Sequence, residues 1–167
     1  MRMLKDQTGR SDVSIQLSSF GTQIQSPKID IRKLQREIRG DYKECKFALL
    51  PICNNVHWYL AAIDYVSNEI FVMCSLNGTY DTVARNLQRI FETNSAIDDF
   101  KVFFPKVPKQ TNGRDCGVFV IMFAKALMLQ LKKTFDVNWE TLVDANDVES
   151  NGRTAINDLI MSQLHEK

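Results

Sequence analysis

The sequence predicts an α+β domain with a small, mixed, mainly antiparallel sheet. Three observations carry that class. Short apolar runs rich in β-branched and aromatic residues, Phe47–Ile52, His57–Tyr65, Glu69–Cys74 and Asp99–Phe104, occupy the middle of the chain. Stretches with helical spacing flank them on both sides. The segment from Gly117 to Ala124 carries no charge, the mark of a helix buried over most of its surface. A central helix with strands and other helices segregated around it is an α+β arrangement. The 167 residues are 44% hydrophobic and 25% charged, enough for one core, so a single domain over 1–167 is expected.

The elements follow in order. Residues 1–29 form a weakly defined N-terminal segment. Within it, Val13–Gln25 alternates apolar and polar at Val13, Ile15 and Leu17 before Phe20 and Gly21, which reads as an edge strand or an irregular lead-in. Asp30–Arg39 spaces Ile31, Leu34 and Ile38 helically, with Asp30 as N-cap and Gly40 as stop. Two strands follow over Phe47–Ile52 and His57–Tyr65, separated by the turn formers Asn54 and Asn55. Ser67 and Asn68 turn the chain into a third strand, Glu69–Cys74. Val83, Leu87, Ile90 and Phe91 mark a helix over about Tyr80–Thr93, and Asp99–Phe104 supplies a fourth strand. The long apolar helix places Val120, Phe123, Ala124, Leu127 and Leu131 at helical intervals. Asn138–Ser150 is polar and indefinite, and Ile156, Leu159, Ile160 and Leu164 line a last helix from about Arg153 to Leu164.

Composition excludes several functions. Lys plus Arg total 21 against 20 acidic residues, without the basic excess of a nucleic-acid binder. No apolar run approaches the roughly 20 residues that span a bilayer, and Met1–Phe20 has no signal-peptide core, so no membrane partner is expected and the compartment is nucleus or cytoplasm. The four cysteines, Cys45, Cys53, Cys74 and Cys116, are widely spaced in a chain too large to need disulfide staples, which points to reduced thiols. Paired Cys or His at zinc spacing is lacking, so neither metal nor cofactor is expected, and the chain is expected to act as a monomer.

The chemistry concentrates in Pro108–Gly117, a loop that delivers Cys116 to a helix start. A thiol there faces unpaired backbone N–H groups and the positive end of the helix dipole, which favour the nucleophilic thiolate. Gln110, six positions upstream, offers an amide donor to an oxyanion beside Cys116. Such a cysteine needs a base, and the chain has two histidines. His165 lies in the C-terminal tail, whereas His57 opens a strand beside Trp58. Each taken alone also has an ordinary reading: a packed histidine, a small buried hydrophobe and a surface glutamine.

Their joint arrangement resembles a known family. His57-Trp58, Ile63-Asp64, Ser75-Leu76, Pro108-Lys109-Gln110, Asn112 and Asp115-Cys116-Gly117-Val118-Phe119-Val120 are similar to the ubiquitin-like-protein-specific cysteine proteases, the SUMO and sentrin protease family related to adenovirus-type proteases. The resemblance covers a core of about 47–164. It implies a papain-like fold with a rearranged order of active-site residues. The implied activity is hydrolysis after the C-terminal glycine of a ubiquitin-like modifier, free or in protein conjugates. By position it makes Cys116 the nucleophile, His57 the general base and Gln110 the oxyanion donor, with Trp58, Asn112 and Gly117 at the substrate channel. The family's third triad member, an acidic residue or sometimes Asn, would stand immediately before Ser75-Leu76, where this chain has Cys74. Asn77 and Asp81 are alternative partners for His57, or else a turn and a cap; Asp64 is expected to be structural, and Asp115 to cap the Cys116 helix. The family's Trp-Leu-Asn/Asp segment has no match before Phe47, so the N-terminal wall of the channel is expected to be missing, shortened or supplied by another chain. Alternatives are a weak or inactive relative that binds a modifier or protein partner, and a viral- or transposon-type polyprotein protease.

Overall fold

The structure, a computed structural model, describes residues 9–16, 18–39, 45–54, 56–78, 80–92, 100–130 and 136–165. Among these, five strands form one sheet in chain order: β1 (Val13–Ile15), β2 (Phe47–Asn54), β3 (His57–Asp64), β4 (Glu69–Met73) and β5 (Lys101–Phe103). The three central strands pair antiparallel, and the short edge strands β1 and β5 pair parallel to β2 and β4. Five helices complete the described residues: α1 (Ser18–Gln23), α2 (Ile31–Arg39), α3 (Asp81–Glu92), α4 (Cys116–Gln130) and α5 (Ala145–His165).

The sheet is buried on both faces because its strands are apolar at odd and even positions alike. Phe47, Leu49, Leu60, Ala62, Phe71 and Met73 meet Phe119, Phe123, Ala124 and Leu127 of α4 on one face. Ala48, Leu50, Ile52, Tyr59, Ala61, Ile63 and Val72 meet Phe20 of α1, Leu34 of α2 and Leu87 and Ile90 of α3 on the other. Phe119 and Phe123 are almost wholly buried. Truncating either to alanine removes about 3–5 kcal/mol of packing, so the core sets where the first turn of α4 sits.

Local chemistry explains the boundaries. Asp30 caps α2 by accepting the Lys33 N–H at 3.0 Å, while Gly40, expected to stop that helix, lies outside the described residues, as do Thr93, Asp99 and Leu131. Asn68 takes a left-handed φ of 56°, which asparagine tolerates, to turn β3 into β4. Asp64, wholly buried, accepts the Val66 and Ser67 N–H groups at 2.8 and 3.1 Å and closes the same turn. Pro51 sits inside β2 beyond the last β1 pair at Leu49, so its missing N–H removes no bond to β1.

Two expectations change. The lead-in after β1 is a helix, α1, lying so close to β2 that a Cβ on Gly21 would come within 2.6 Å of the Pro51 carbonyl oxygen. Its polar, glycine-containing sequence carries no helical period, and contact with β2 fixes it instead. The indefinite stretch Asn138–Ser150 holds a 3-10 turn, Trp139–Thr141, and the first turns of α5, which starts at Ala145 rather than Arg153. Asp144 accepts the Asn146 and Asp147 N–H groups, a polar cap that hydrophobic spacing does not register. His165 belongs to this helix rather than to a loose tail, and its side chain lies outside the described residues.

Candidate active site

Cys116 is the first residue of α4 and is 6% exposed. Trp58, in β3, lies across the same turn: a Cβ on Gly117 would be 3.8 Å from the indole Cδ1. His57 precedes Trp58 at the start of β3 and is partly buried. The apolar packing of α4 on β3 thus sets the His57-Trp58 and Cys116-Gly117 pairs at one end of the sheet.

Cys74 follows the last residue of β4, and its Sγ lies 3.0 Å from His57 Nε2. The same sulfur lies 2.6 Å from the Tyr80 hydroxyl and accepts the Leu76 N–H at 3.2 Å. Among the described residues Nε2 is the imidazole nitrogen with a side-chain partner, which leaves Nδ1 open. Asn77 and Asp81, both exposed, make no such contact among the described residues. Burial lowers the pKa of His57 below its ordinary 6.5, so the ring is mainly neutral at pH 7. Tyr59 stacks at 6.2 Å on His57 and lies 4.4 Å from Tyr80 between ring centroids. Both phenols are pushed up above their usual range, chiefly by burial and then by Cys74, and stay neutral.

The loop before Cys116 is stitched to the segment after Cys74. Lys109 Nζ donates to the carbonyls of Cys74 and Leu76 at 2.8 and 3.3 Å. The Gln110 N–H donates to the Ser75 carbonyl at 3.0 Å, and the Ser75 hydroxyl donates to Gln110 Oε1 at 2.5 Å. The Asn112 carbonyl at the other end, which can only accept, fixes which end of the Gln110 amide is the donor. The amide Nε2 reaches that carbonyl at 2.5 Å with one hydrogen, leaving the second for another acceptor. Gln110 is 7% exposed, so the amide sits in a site with little competing water.

Helix α5 holds the loop from the far side. Arg153 donates to Asp115 Oδ1 from Nε and Nη2 at 3.0 and 2.6 Å, and to the Arg114 carbonyl at 3.1 Å. Glu149 accepts the Thr111 N–H and, at 2.7 Å, its hydroxyl. Asn112 accepts the Arg114 and Asp115 N–H groups and donates to Asp115 Oδ2 at 2.8 Å, so its side chain shapes the loop. Asp115 therefore begins α4 through its carbonyl, which accepts the Phe119 N–H at 3.0 Å, while its carboxylate faces Arg153 and Asn112 instead of capping the helix.

Sequence reasoning missed Tyr80, Arg153 and Glu149, whose partners lie at sequence separations of 6, 38 and 38 without a local pattern. Ser75 and Lys109 stood inside the quoted motifs, and their flanking positions were the available signal.

The sequence model of the Ulp1 protease family, C-terminal catalytic domain, matches residues 13–160. The match begins at β1, upstream of Phe47, and takes in α1 and α2. The ubiquitin-like-specific protease ESD4 of Arabidopsis thaliana is 28% identical over 99 residues, 53% of this chain and 20% of that protein. Ubiquitin-like-specific protease 1A of the same plant is 28% identical over 90 residues, 48% of this chain and 18% of that protein. These matches thus span about a fifth of the relatives' lengths. Among solved structures, the SUMO protease Ulp1 with its catalytic cysteine oxidised to a sulfenic acid is similar at a TM-score of 0.76 and 22% identity, covering 98% of this chain and 74% of that one. The C-terminal Ulp1 protease domain in complex with Smt3, the yeast ortholog of SUMO, is similar at 0.65 and 24% identity, covering 87% and 66%. The Xanthomonas campestris effector XopD bound to ubiquitin is similar at 0.62 and 19% identity, covering 92% and 87%. At these identities the structures establish the shared α+β, papain-like fold, and the family match over most of the sequence establishes membership: the chain belongs to the Ulp1 family of cysteine proteases.

Proposed function

We propose that this domain is a cysteine isopeptidase and endopeptidase that removes or processes a SUMO-like ubiquitin-like modifier. The observation that carries the reading is the His57–Cys74 contact at 3.0 Å. It occupies Nε2 and leaves Nδ1 as the nitrogen for Cys116, beside a Trp58 that lies over Gly117. Cys116 gives its proton to His57 Nδ1, and the thiolate attacks the carbonyl carbon of the modifier's C-terminal glycine. The free hydrogen of Gln110 Nε2 and the Cys116 N–H hold the oxyanion. The tetrahedral intermediate collapses, the C–N bond breaks, and His57 returns the proton to the leaving amine. Water, deprotonated by His57, then hydrolyses the thioester and restores the thiol. Trp58 forms a flat wall for a substrate tail of glycines. We further propose a monomer in a reducing compartment, nucleus or cytoplasm, where the thiol survives.

A second reading has its own observation. Cys74 brings a sulfur where the family pattern leads one to expect a carboxylate, and an uncharged thiol stabilises imidazolium poorly, so activity is reduced and binding of the modifier without cleavage is the limiting case. Incubation with SUMO-type and ubiquitin-type probes bearing C-terminal electrophiles separates the two. The first reading expects an adduct on Cys116 that is lost in Cys116→Ala. Binding of the unmodified modifier with no adduct from any probe would leave only the second.

A further inference from the structure

The sulfur of Cys74 has three hydrogen-bonding neighbours and one proton. The Leu76 N–H can only donate to it. His57 Nε2 at 3.0 Å and the Tyr80 hydroxyl at 2.6 Å can each donate or accept. With every group neutral, Nε2–H and the Tyr80 O–H can both donate to the sulfur and leave the S–H unbonded, or one of two proton orders can bond the S–H as well. In one, Nε2–H donates to the sulfur and the S–H donates to the Tyr80 oxygen. In the other, the Tyr80 O–H donates to the sulfur and the S–H donates to Nε2, which puts the ring's own proton on Nδ1. A His57 protonated at Nδ1 cannot take the proton of Cys116. Of the two orders that bond the S–H, only the first serves the proposed reaction, and it needs an acceptor for that proton. Among the described residues that acceptor is the Tyr80 oxygen.

We propose that Tyr80 is a positioning residue that sets the tautomer of His57: by accepting the Cys74 S–H it turns that proton away from the imidazole and keeps Nδ1 free. The surroundings suit the role. The Tyr80 ring packs 4.4 Å from Tyr59, which fixes where its oxygen lies. Gly78 leaves that oxygen its space, since a Cβ there would come within 2.5 Å of it. Tyr80 is only partly buried, so its own O–H can turn to water. Burial holds its phenol neutral, so it does not trade this place for a charge. A carboxylate at position 74 would need no such helper, because it has no proton to misdirect at neutral pH. Tyr80 thus compensates for the sulfur at Cys74.

The inference rests on the proposed reaction, and its test has an arm independent of turnover. Nitrogen-15 NMR of the ring nitrogens reports the tautomer of His57 directly. Wild type is expected to carry the proton on Nε2, and Tyr80→Phe, which keeps the ring on Tyr59, to shift it toward Nδ1. A wild-type ring protonated at Nδ1, or a tautomer indifferent to Tyr80→Phe, overturns the proposal. In turnover, Tyr80→Phe should lower kcat about tenfold or more with KM unchanged, a part of what a general base supplies. In a Cys74→Asp background the same change should cost far less. Equal losses in both backgrounds would make Tyr80 a packing residue and overturn the assignment. If the tautomer shifts as stated but no modifier is cleaved, the proposed function fails and the role of Tyr80 stands.

Discussion

The two halves of the site are held by opposite chemistry. On the Cys116 side, Arg153 and Glu149 of α5 grip the loop through Asp115 and Thr111, and Lys109 ties it to two carbonyls. On the His57 side, a neutral imidazole meets a thiol, a phenol and a backbone N–H. An Arg–carboxylate bond has no ambiguity about its protons, since one partner carries them all. The sulfur network can shift its protons without moving a heavy atom. The Cys116 half is therefore fixed in protonation by charge, whereas the protonation of the His57 half depends on which neutral neighbour donates to the Cys74 sulfur.

The largest expected effect tests the first half. Gln110 owes its position to Ser75 and the loop rather than to charge, and its second amide hydrogen is the proposed oxyanion donor. Gln110→Ala, and Gln110→Glu, which keeps the size but loses the donor, should each lower kcat about 10²–10³-fold, as loss of an oxyanion-hole donor does. Steady-state cleavage of a modifier fusion measures this, and a loss under tenfold would move the oxyanion site away from Gln110.

Next in size is the anchor of the loop. The Asp115 side chain is 5% exposed and that of Arg153 64%, so the pair lies between the surface and the buried cases. Arg153→Met should cost about 1–3 kcal/mol in urea unfolding, by stranding a buried carboxylate. Burial pushes the Asp115 carboxyl up, yet the bonds from Arg153 and Asn112 outweigh it and hold it below 3.8. A lowered carboxyl stabilises the fold above the unfolded value, and the contribution is lost as pH falls through the folded value. Arg153→Met should flatten that acid-side loss, and an unchanged acid profile would say that Asn112 alone sets it.

How much of this was legible in the chain follows the same division. Strands β2, β3 and β4 and helix α4 were readable because unbroken apolar runs permit few alternatives, and Cys116 and Gln110 lay together in one loop. The position of Cys74 was readable from the Ser75-Leu76 pair, but not what surrounds its sulfur. Tyr80 read as the start of a helix, since a contact made across a loop leaves no periodic trace. The contacts of Arg153 and Glu149 depend on how α5 packs on α4, where Gly152 lets the helices close to a spacing at which a Cβ would lie 2.6 Å from Val118 Cγ1. Helix α1 is set by its fit against β2, which local propensity does not encode.

A smaller effect tests the base side. Cys74→Asp replaces a neutral acceptor with a charged one, and charge-assisted bonds are about twice as strong as neutral ones. A gain of about 1 kcal/mol for the imidazolium-like transition state corresponds to roughly fivefold in kcat. Probe labelling and turnover measure it, and an unchanged rate would mean that the sulfur already orients His57 as well as a carboxylate can.

The smallest effect separates the two halves by pH. Burial lowers His57 below 6.5, so between its folded and unfolded values the unfolded chain binds a proton that the folded chain refuses. Stability contributed by the neutral ring is present above about pH 6.5 and declines as pH falls below it, levelling off under the folded value. The Asp115 side loses nothing in that window, because its carboxyl titrates below 3.8. Unfolding free energies at pH 7.5 and 5.5 should therefore fall slightly in wild type and not in His57→Gln, by less than Arg153→Met removes. In Cys74→Asp the new carboxylate favours the imidazolium, which raises the folded value and reverses the sign: stability should hold or grow toward pH 5.5. A wild-type profile that already rises on acidification would mean that the sulfur side carries negative charge, and the contrast between the two halves would disappear.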